Sequence, residues 1–501
     1  MSGKSRNPSV SSTDDKGSLA HIETAETTPS QLDGTETQSW AGTPEEKKLV
    51  RKLDMRIMPI LCILYLFAYL DRTNLGNARL QGFPEDTLGG DPTGVLYDWV
   101  NSAFFFSYIL CQIPATIASK LVPLPLWMGL SAVLWGLSST LMATGFNFPG
   151  MIVARIFLGA FESCFSPGIP LYLSLFYTKH ELGTRMAAYF SFASLAGAFG
   201  GLIAFGVQHI QSSISNWRLL FIIEGVPTVV LGFWVIFLLP DRPETTRFLS
   251  EQERVIQKDR MCRGVRADVG RVLTKKHIGW AFRDWRLYVA GVIYFGANCA
   301  ISSIAAFLPT IITTFGVSNA SAQLLTVPPY AVNAVLMTAT CYLSDRLQSR
   351  GLFMTISGVV AGVGYIIMLV VPDNNHARYF AIFCVTCGAY TTIGIIIAWF
   401  AHNLGSETKK AAGMPLYMAI GQCGAVLGSH LFPLTEGPQY IRGFGVSCAL
   451  VFLSAVGSAI LSISYRIENT RRDRLFGVAD RNINIDTTQL ADKAPMFRYI
   501  P

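Results

Sequence analysis

Tyr69-Leu-Asp71-Arg72-Thr-Asn74 closes an apolar run that opens at Ile57. A run of this length suits a helix crossing a hydrocarbon layer of about 30 Å, yet its far end holds an acid and a base side by side. A second apolar run opens at Phe148 and carries Arg155 and, seven residues on, Glu162. Charge inside a bilayer is costly and is kept where it has a partner or a task. These four residues therefore decide the reading: membrane helices arranged around an internal charged site.

The rest of the chain agrees. Of 501 residues, 51% are hydrophobic and only 15% charged, against roughly 25% charged in a soluble protein, and mean hydropathy is +0.38. Apolar runs are expected to span at 57–76, 97–118, 127–145, 148–171, 185–207 and 217–239, and again at 286–314, 321–343, 352–371, 378–400, 411–433 and 444–465. The fold class is an all-α membrane protein with twelve transmembrane helices in two six-helix halves. The segments are a disordered polar tail over 1–44, an N-terminal bundle over 45–239, a hydrophilic linker over 240–284, a C-terminal bundle over 285–466 and a basic tail over 467–501. No sequence repeat between the halves is visible, so their likeness is inferred from hydropathy. In the linker, Glu251 to Lys258 places acids before bases, the charge order of a helix aligned with its dipole, and predicts a short amphipathic helix that braces the halves.

Lysine and arginine set the orientation. Lys120, Lys179, Arg185, Arg346, Arg350, Lys409 and Lys410 fall in loops on the side of the termini, whereas Arg79, Arg218, Arg378 and Arg442 fall on the other. Both termini are then cytosolic. This distribution also explains the net charge of +7 without a nucleic-acid partner. Nine of the ten cysteines lie in apolar runs and the seven histidines show no metal spacing, so neither metal nor cofactor is expected, and no enzymatic nucleophile–base set is present. Asn319-Ala-Ser321 is a glycosylation triplet in a loop too short to favour its use.

At 1.5 Å per residue, Asp71 lies about 22 Å up the first span, and Arg155, on a span running the other way, is at a similar depth. An Asp71–Arg155 or an Arg72–Glu162 attraction is therefore expected. Glu162 is two turns from Arg155 on the same face and about 10 Å deeper. Away from the span ends, the C-terminal half holds no Asp, Glu, Lys or Arg, whereas the N-terminal half holds Asp71, Arg72, Arg155, Glu162 and Glu224. Fixed salt bridges would have no reason to avoid one half. Arginine offers a planar fork to a carboxylate, and a buried acid can take up or release a proton as its access to water alternates. That chemistry suits proton-coupled anion transport. Asn298, Gln323, Tyr330, Asn333, Trp399, Asn403 and Gln422 are the neutral candidates in the other half, with Trp399 and Asn403 on one helical face.

Tyr69 to Ala78, Arg155 to Glu162, Trp217 to Pro227 and Pro240 to Thr245, with Ala322 to Tyr330 and Tyr342 to Gly351, resemble the anion:cation symporter family of the major facilitator superfamily, in its fungal allantoate and nicotinate permease-like branch. That resemblance implies the major facilitator fold, with Asp71 and Glu162 as proton carriers, Arg72 and Arg155 meeting the substrate carboxylate, and Tyr69 and Trp399 lining the pocket. Asn298, Asn403 and Gln422 complete the expected binding set, and Asp345 and Arg346 form the gate motif. The first copy of that motif is absent from Ser119 to Trp127, so the latch is asymmetric. The expected protein is a monomeric plasma-membrane symporter whose partners are protons, a small organic anion and the bilayer. The rivals are an exporter of an acidic metabolite and a transport-inactive nutrient sensor, the latter disfavoured by short tails.

Overall fold

The computed structural model describes residues 40, 42–119, 121–166, 168–263, 275–478 and 489–501. The tail expected to be disordered lies almost wholly outside the described residues. Among the described residues, seventeen α-helices run in chain order. In the N-terminal half they are α1 (Pro44–Arg79), the short α2 (Phe83–Thr87), α3 (Val95–Ala118), α4 (Leu124–Met142), α5 (Phe148–Phe165), α6 (Gly168–Phe176), α7 (Lys179–Gln208) and α8 (Asn216–Leu238). Between the halves lie α9 (Glu251–Arg263) and α10 (Lys275–Arg283). The C-terminal half has α11 (Trp285–Thr313), α12 (Asn319–Leu325), α13 (Val327–Leu347), α14 (Arg350–Val370), α15 (Asn375–Asn403), α16 (Glu407–Gly428) and α17 (Ile441–Phe476).

Eleven helical stretches among the described residues are long and apolar enough to cross a membrane. The twelfth span is α3, where Asp98, Asn101 and Gln112 dilute an otherwise apolar sequence. α1 begins cleanly: the Thr43 side chain accepts the Glu46 amide, Pro44 opens the first turn, and Glu45 and Glu46 face the positive end of the dipole. It runs unbroken for 36 residues, so the charged stretch before Ile57 and the first span form one helix.

The two halves repeat one packing plan. In the N-terminal half α1 packs on α7, α3 on α5, and α4 on both α5 and α8; in the C-terminal half α11 packs on α16, α13 on α15, and α14 on both α15 and α17. The halves meet along α7–α13 and α3–α16, again equivalent pairs. The repeat that hydropathy implies is thus present in the packing.

We call the side that holds the start of α1, α9 and Gln489–Pro501 the terminal face. There α9 bonds to the N-terminal half: Lys52 Nζ reaches Glu253 Oε2 at 2.7 Å, and Gln257 Nε2 donates to the Phe176 carbonyl at 2.9 Å. These bonds of α9 go to the N-terminal half, and α10 packs on α11 and α16. On the opposite face the halves close on each other. Gln323 Nε2 donates to the Asn77 carbonyl at 3.2 Å, Asn319 Nδ2 to the Leu80 carbonyl at 3.1 Å, and Tyr97 Oη to the Ala306 carbonyl at 3.1 Å. The asparagine of the glycosylation triplet is thereby engaged in a contact between halves.

Candidate functional site

Asp71 and Arg72 are neighbours on α1 and point about 100° apart, the angle of one helical residue. This sends them to different surroundings. Arg72 faces α5 and donates through Nε to Glu162 Oε1 at 2.8 Å, with Nη2 bonding the same oxygen. Its guanidinium carbon lies 5.0 Å from the Tyr69 ring centroid, 5.3 Å from Phe104 and 5.2 Å from Tyr108. The Arg72 side chain keeps 14% exposure, whereas Glu162 has none. Rings that face a cation partly replace its lost hydration, which lets the charge sit at this depth.

The C-terminal half closes the cage with rings. Tyr69 lies 6.5 Å from Tyr390 of α15, and Tyr390 lies 5.9 Å edge-on from Tyr330 of α13. Tyr330 can approach because Gly197 on α7 has no side chain: a Cβ there would fall 2.6 Å from the ring. The glycines of that helix thus permit the close packing between halves.

Asp71 turns inward to a second, fully buried cluster inside the N-terminal half. Its Oδ1 accepts from Ser139 Oγ on α4, while Oδ2 has no hydrogen-bond partner among the described residues. Arg155, 1% exposed, donates through Nη1 to the Asp71 backbone carbonyl and through Nη2 to Asn74 Oδ1, both at 3.3 Å. The expected attraction between the two residues therefore takes the form of a bond to the backbone, and the Arg155 guanidinium grips α1. Glu224 on α8, 1% exposed, belongs to the same cluster, and neither of its oxygens has a hydrogen-bond partner among the described residues.

The remaining expected site residues divide. Asn298 Nδ2 donates to Gln422 Oε1 at 2.9 Å and to the Gly421 carbonyl at 3.2 Å, which ties α11 to α16. Trp399 and Asn403 are not brought to Arg72. They lie 9 and 13 residues beyond Tyr390, roughly 13 and 20 Å along α15, where Trp399 Nε1 donates to the Ile500 carbonyl at 2.7 Å and Asn403 exchanges bonds of 3.0 and 2.9 Å with Ile500. The terminal segment occupies the face that they share. The gate motif also differs from expectation. Asp345 pairs with Arg350 at 2.7 Å, and Arg346 points outward, exposed. Asp345 abuts Gly183 of α7, where a Cβ would lie 3.4 Å from Oδ2, so the pair stands where the halves cross.

Sequence reasoning missed Phe104 and Tyr108 around the cation, Tyr390 against the Tyr69 ring, and Asn74 and Ser139 around the buried cluster. Asn74 carried a signal, one turn from Asp71; a ring inside an apolar run carried none that separates cage from core. Among the described residues no group of His, Cys, Asp or Glu is placed to hold a metal.

Two six-helix halves that meet around buried ionic groups define a multi-pass membrane transporter. The chain belongs to the Major Facilitator Superfamily, whose description matches residues 61–429, and it is a secondary transporter of small molecules, not an enzyme. It is 32% identical over 481 residues to the major facilitator-type transporter hxnP of Emericella nidulans, covering 94% of this chain and 97% of that one. It is 29% identical over 465 residues to the high-affinity nicotinic acid transporter of Saccharomyces cerevisiae, covering 91% and 85%. The crystal structure of a D-xylose-proton symporter superposes with a TM-score of 0.63 at 12% identity, covering 81% of this chain and 97% of that one.

Proposed function

We propose that the protein is a proton-coupled symporter of a small organic anion that carries a carboxylate, a monocarboxylate of the nicotinate type. The observation that carries the reading is the Arg72–Glu162 pair, set in a cage of rings from both halves. An incoming carboxylate competes with Glu162 for the guanidinium fork. Glu162, fully buried once released, is stable there only if it takes a proton. Anion and proton therefore load together. The flat rings of Tyr69 and Tyr390 suit an aromatic or planar body attached to the carboxylate.

Charge supports the same cycle. The two buried clusters hold three carboxyls, Asp71, Glu162 and Glu224, against two guanidiniums, Arg72 and Arg155. With every group ionised they carry one excess negative charge in a buried interior, which one resident proton neutralises; an entering anion restores the excess, and a second, co-transported proton neutralises it again. Opening then alternates between the terminal face, which we take as cytosolic, and the opposite face. The membrane assigned is the plasma membrane. In proteoliposomes, an inward proton gradient should drive accumulation of labelled nicotinate, and collapsing it with an ionophore should reduce uptake to equilibration. Uptake indifferent to the gradient would refute the coupling.

A further inference from the structure

In the sequence Arg79 reads as a loop residue on the face opposite the termini. It is instead the last helical residue of α1 and is 8% exposed. Neither Nη1 nor Nη2 has a hydrogen-bond partner among the described residues. The guanidinium carbon lies 4.3 Å from the ring centroid of Tyr97, on α3 of the N-terminal half, and 5.3 Å from that of Phe307, on α11 of the C-terminal half. Backbone without a side chain makes the room: a Cβ at Gly94 would fall 3.1 Å from Nη2. Asp98 stands nearby on α3, 3% exposed, but it forms no ion pair with Arg79, and its own Oδ1 is without a hydrogen-bond partner among the described residues.

A guanidinium buried with both terminal nitrogens unpartnered is costly. Two rings offset part of that cost, but they belong to different halves. When the halves part on this face, Phe307 withdraws with α11 and the fork turns toward the widening mouth. Arg79 is also seven residues from Arg72. Two helical turns place both on one face of α1, about 10 Å apart, each with aromatic neighbours. We propose that Arg79, with Tyr97, forms an outer receiving site for the same class of carboxylate, occupied when the opposite face is open, from which the anion passes inward along α1 to Arg72. This inference rests on the reading of Arg72 as the central anion site.

Isothermal titration of the purified protein with nicotinate separates the two claims. The wild type should bind in two phases. Arg79→Gln should remove the weaker phase and keep the tighter one, whereas Arg72→Gln should remove the tighter. Arg79→Lys keeps the charge without the fork and should weaken the outer phase about tenfold, the effect of a lost charged hydrogen bond; this variant also serves should the glutamine variant fail to fold. A titration unchanged by Arg79→Gln overturns the outer site alone. A weak phase without a tight one overturns the Arg72 reading alone, and a wild type that binds no nicotinate overturns both. Equal drops in melting temperature for Arg79→Gln, Asp98→Asn and their double variant, with both phases intact, would make Arg79 a partner of Asp98 in closing the mouth and would also overturn the proposal.

Discussion

Arg72 and Arg155 carry the same charge in contrasting surroundings, and substitution should separate them. Arg155 is 1% exposed and its donors satisfy a backbone carbonyl and Asn74 on α1. Removing it leaves those acceptors and the neighbouring carboxyls unmatched, a loss of about 3–5 kcal/mol. Arg155→Ala should therefore lower the melting temperature sharply while the surviving folded protein binds nicotinate normally; intact stability with lost affinity would move Arg155 into the binding site. Glu162→Gln presents the reverse case. The amide oxygen still accepts from Arg72, but no proton is exchanged, so gradient-driven accumulation should fall to background while counterflow exchange persists. Outside the membrane spans, Asp86 Oδ2 accepts from Ser215 Oγ at 2.7 Å and Trp217 Nε1 at 2.8 Å, and these donors hold its carboxyl below the usual carboxylate range. Since the folded value lies below the unfolded one, the contribution is present above the ordinary carboxylate pKa and disappears as pH falls through the folded value. The melting-temperature difference between wild type and Asp86→Ala should be flat near neutrality and shrink in acid.

At the scale of elements, α1 meets the other half at close quarters on the opposite face. A Cβ at Gly76 would fall 2.5 Å from the Ala305 carbonyl oxygen and 2.9 Å from that of Ala306. Backbone of α11 cannot move aside without moving the helix. Gly76→Ala should therefore hinder closure of the opposite face, cutting the maximal rate of transport severalfold while nicotinate still binds, as a titration would show. Unchanged turnover would mean that the contact is not required for the cycle. This case also marks what could be read without coordinates. The spans were legible because apolar length is dictated by the bilayer, and the pairing of Arg72 with Glu162 was among those expected because helical rise fixes depth. Direction around the helix was harder. Asp71 and Arg72 differ by one residue, yet one enters a bundle interior and the other the seam between bundles, and only the positions of Ser139 on α4 and Glu162 on α5 show which. Arg79 illustrates the same limit, since a charge at the end of an apolar run reads as a loop residue until a ring from the other half is found over it.

At the scale of the whole molecule, the segment Gln489–Pro501 alters the meaning of the C-terminal half. Arg472 on α17 donates to the carbonyls of Asp492 at 2.8 Å and Phe497 at 2.9 Å, Asn469 exchanges bonds with Tyr499 at 2.7 and 2.8 Å, and Lys409 on α16 reaches Asp492 at 2.8 Å. With Trp399 and Asn403 on α15, and the Gly351 amide of α14 donating to the Pro501 carbonyl at 3.3 Å, the segment ties the terminal-face ends of four helices. All four belong to one half. Such a strap stiffens that half as a body; none of these bonds reaches the other half, which leaves the rocking of the halves free of them. Its loss should then affect stability rather than recognition. Asn403→Ala removes a reciprocal pair of hydrogen bonds, about 1–3 kcal/mol, and deletion of 489–501 removes the whole set. Both should lower the melting temperature, the deletion more, and both should leave the KM for nicotinate within about twofold of wild type, since the proposed site is at Arg72 of α1, and the α15 ring nearest to it, Tyr390, lies roughly 20 Å along that helix from Asn403. A rise in KM for Asn403→Ala at unchanged melting temperature would restore Trp399 and Asn403 to the substrate path and require the strap to lie elsewhere while substrate is bound.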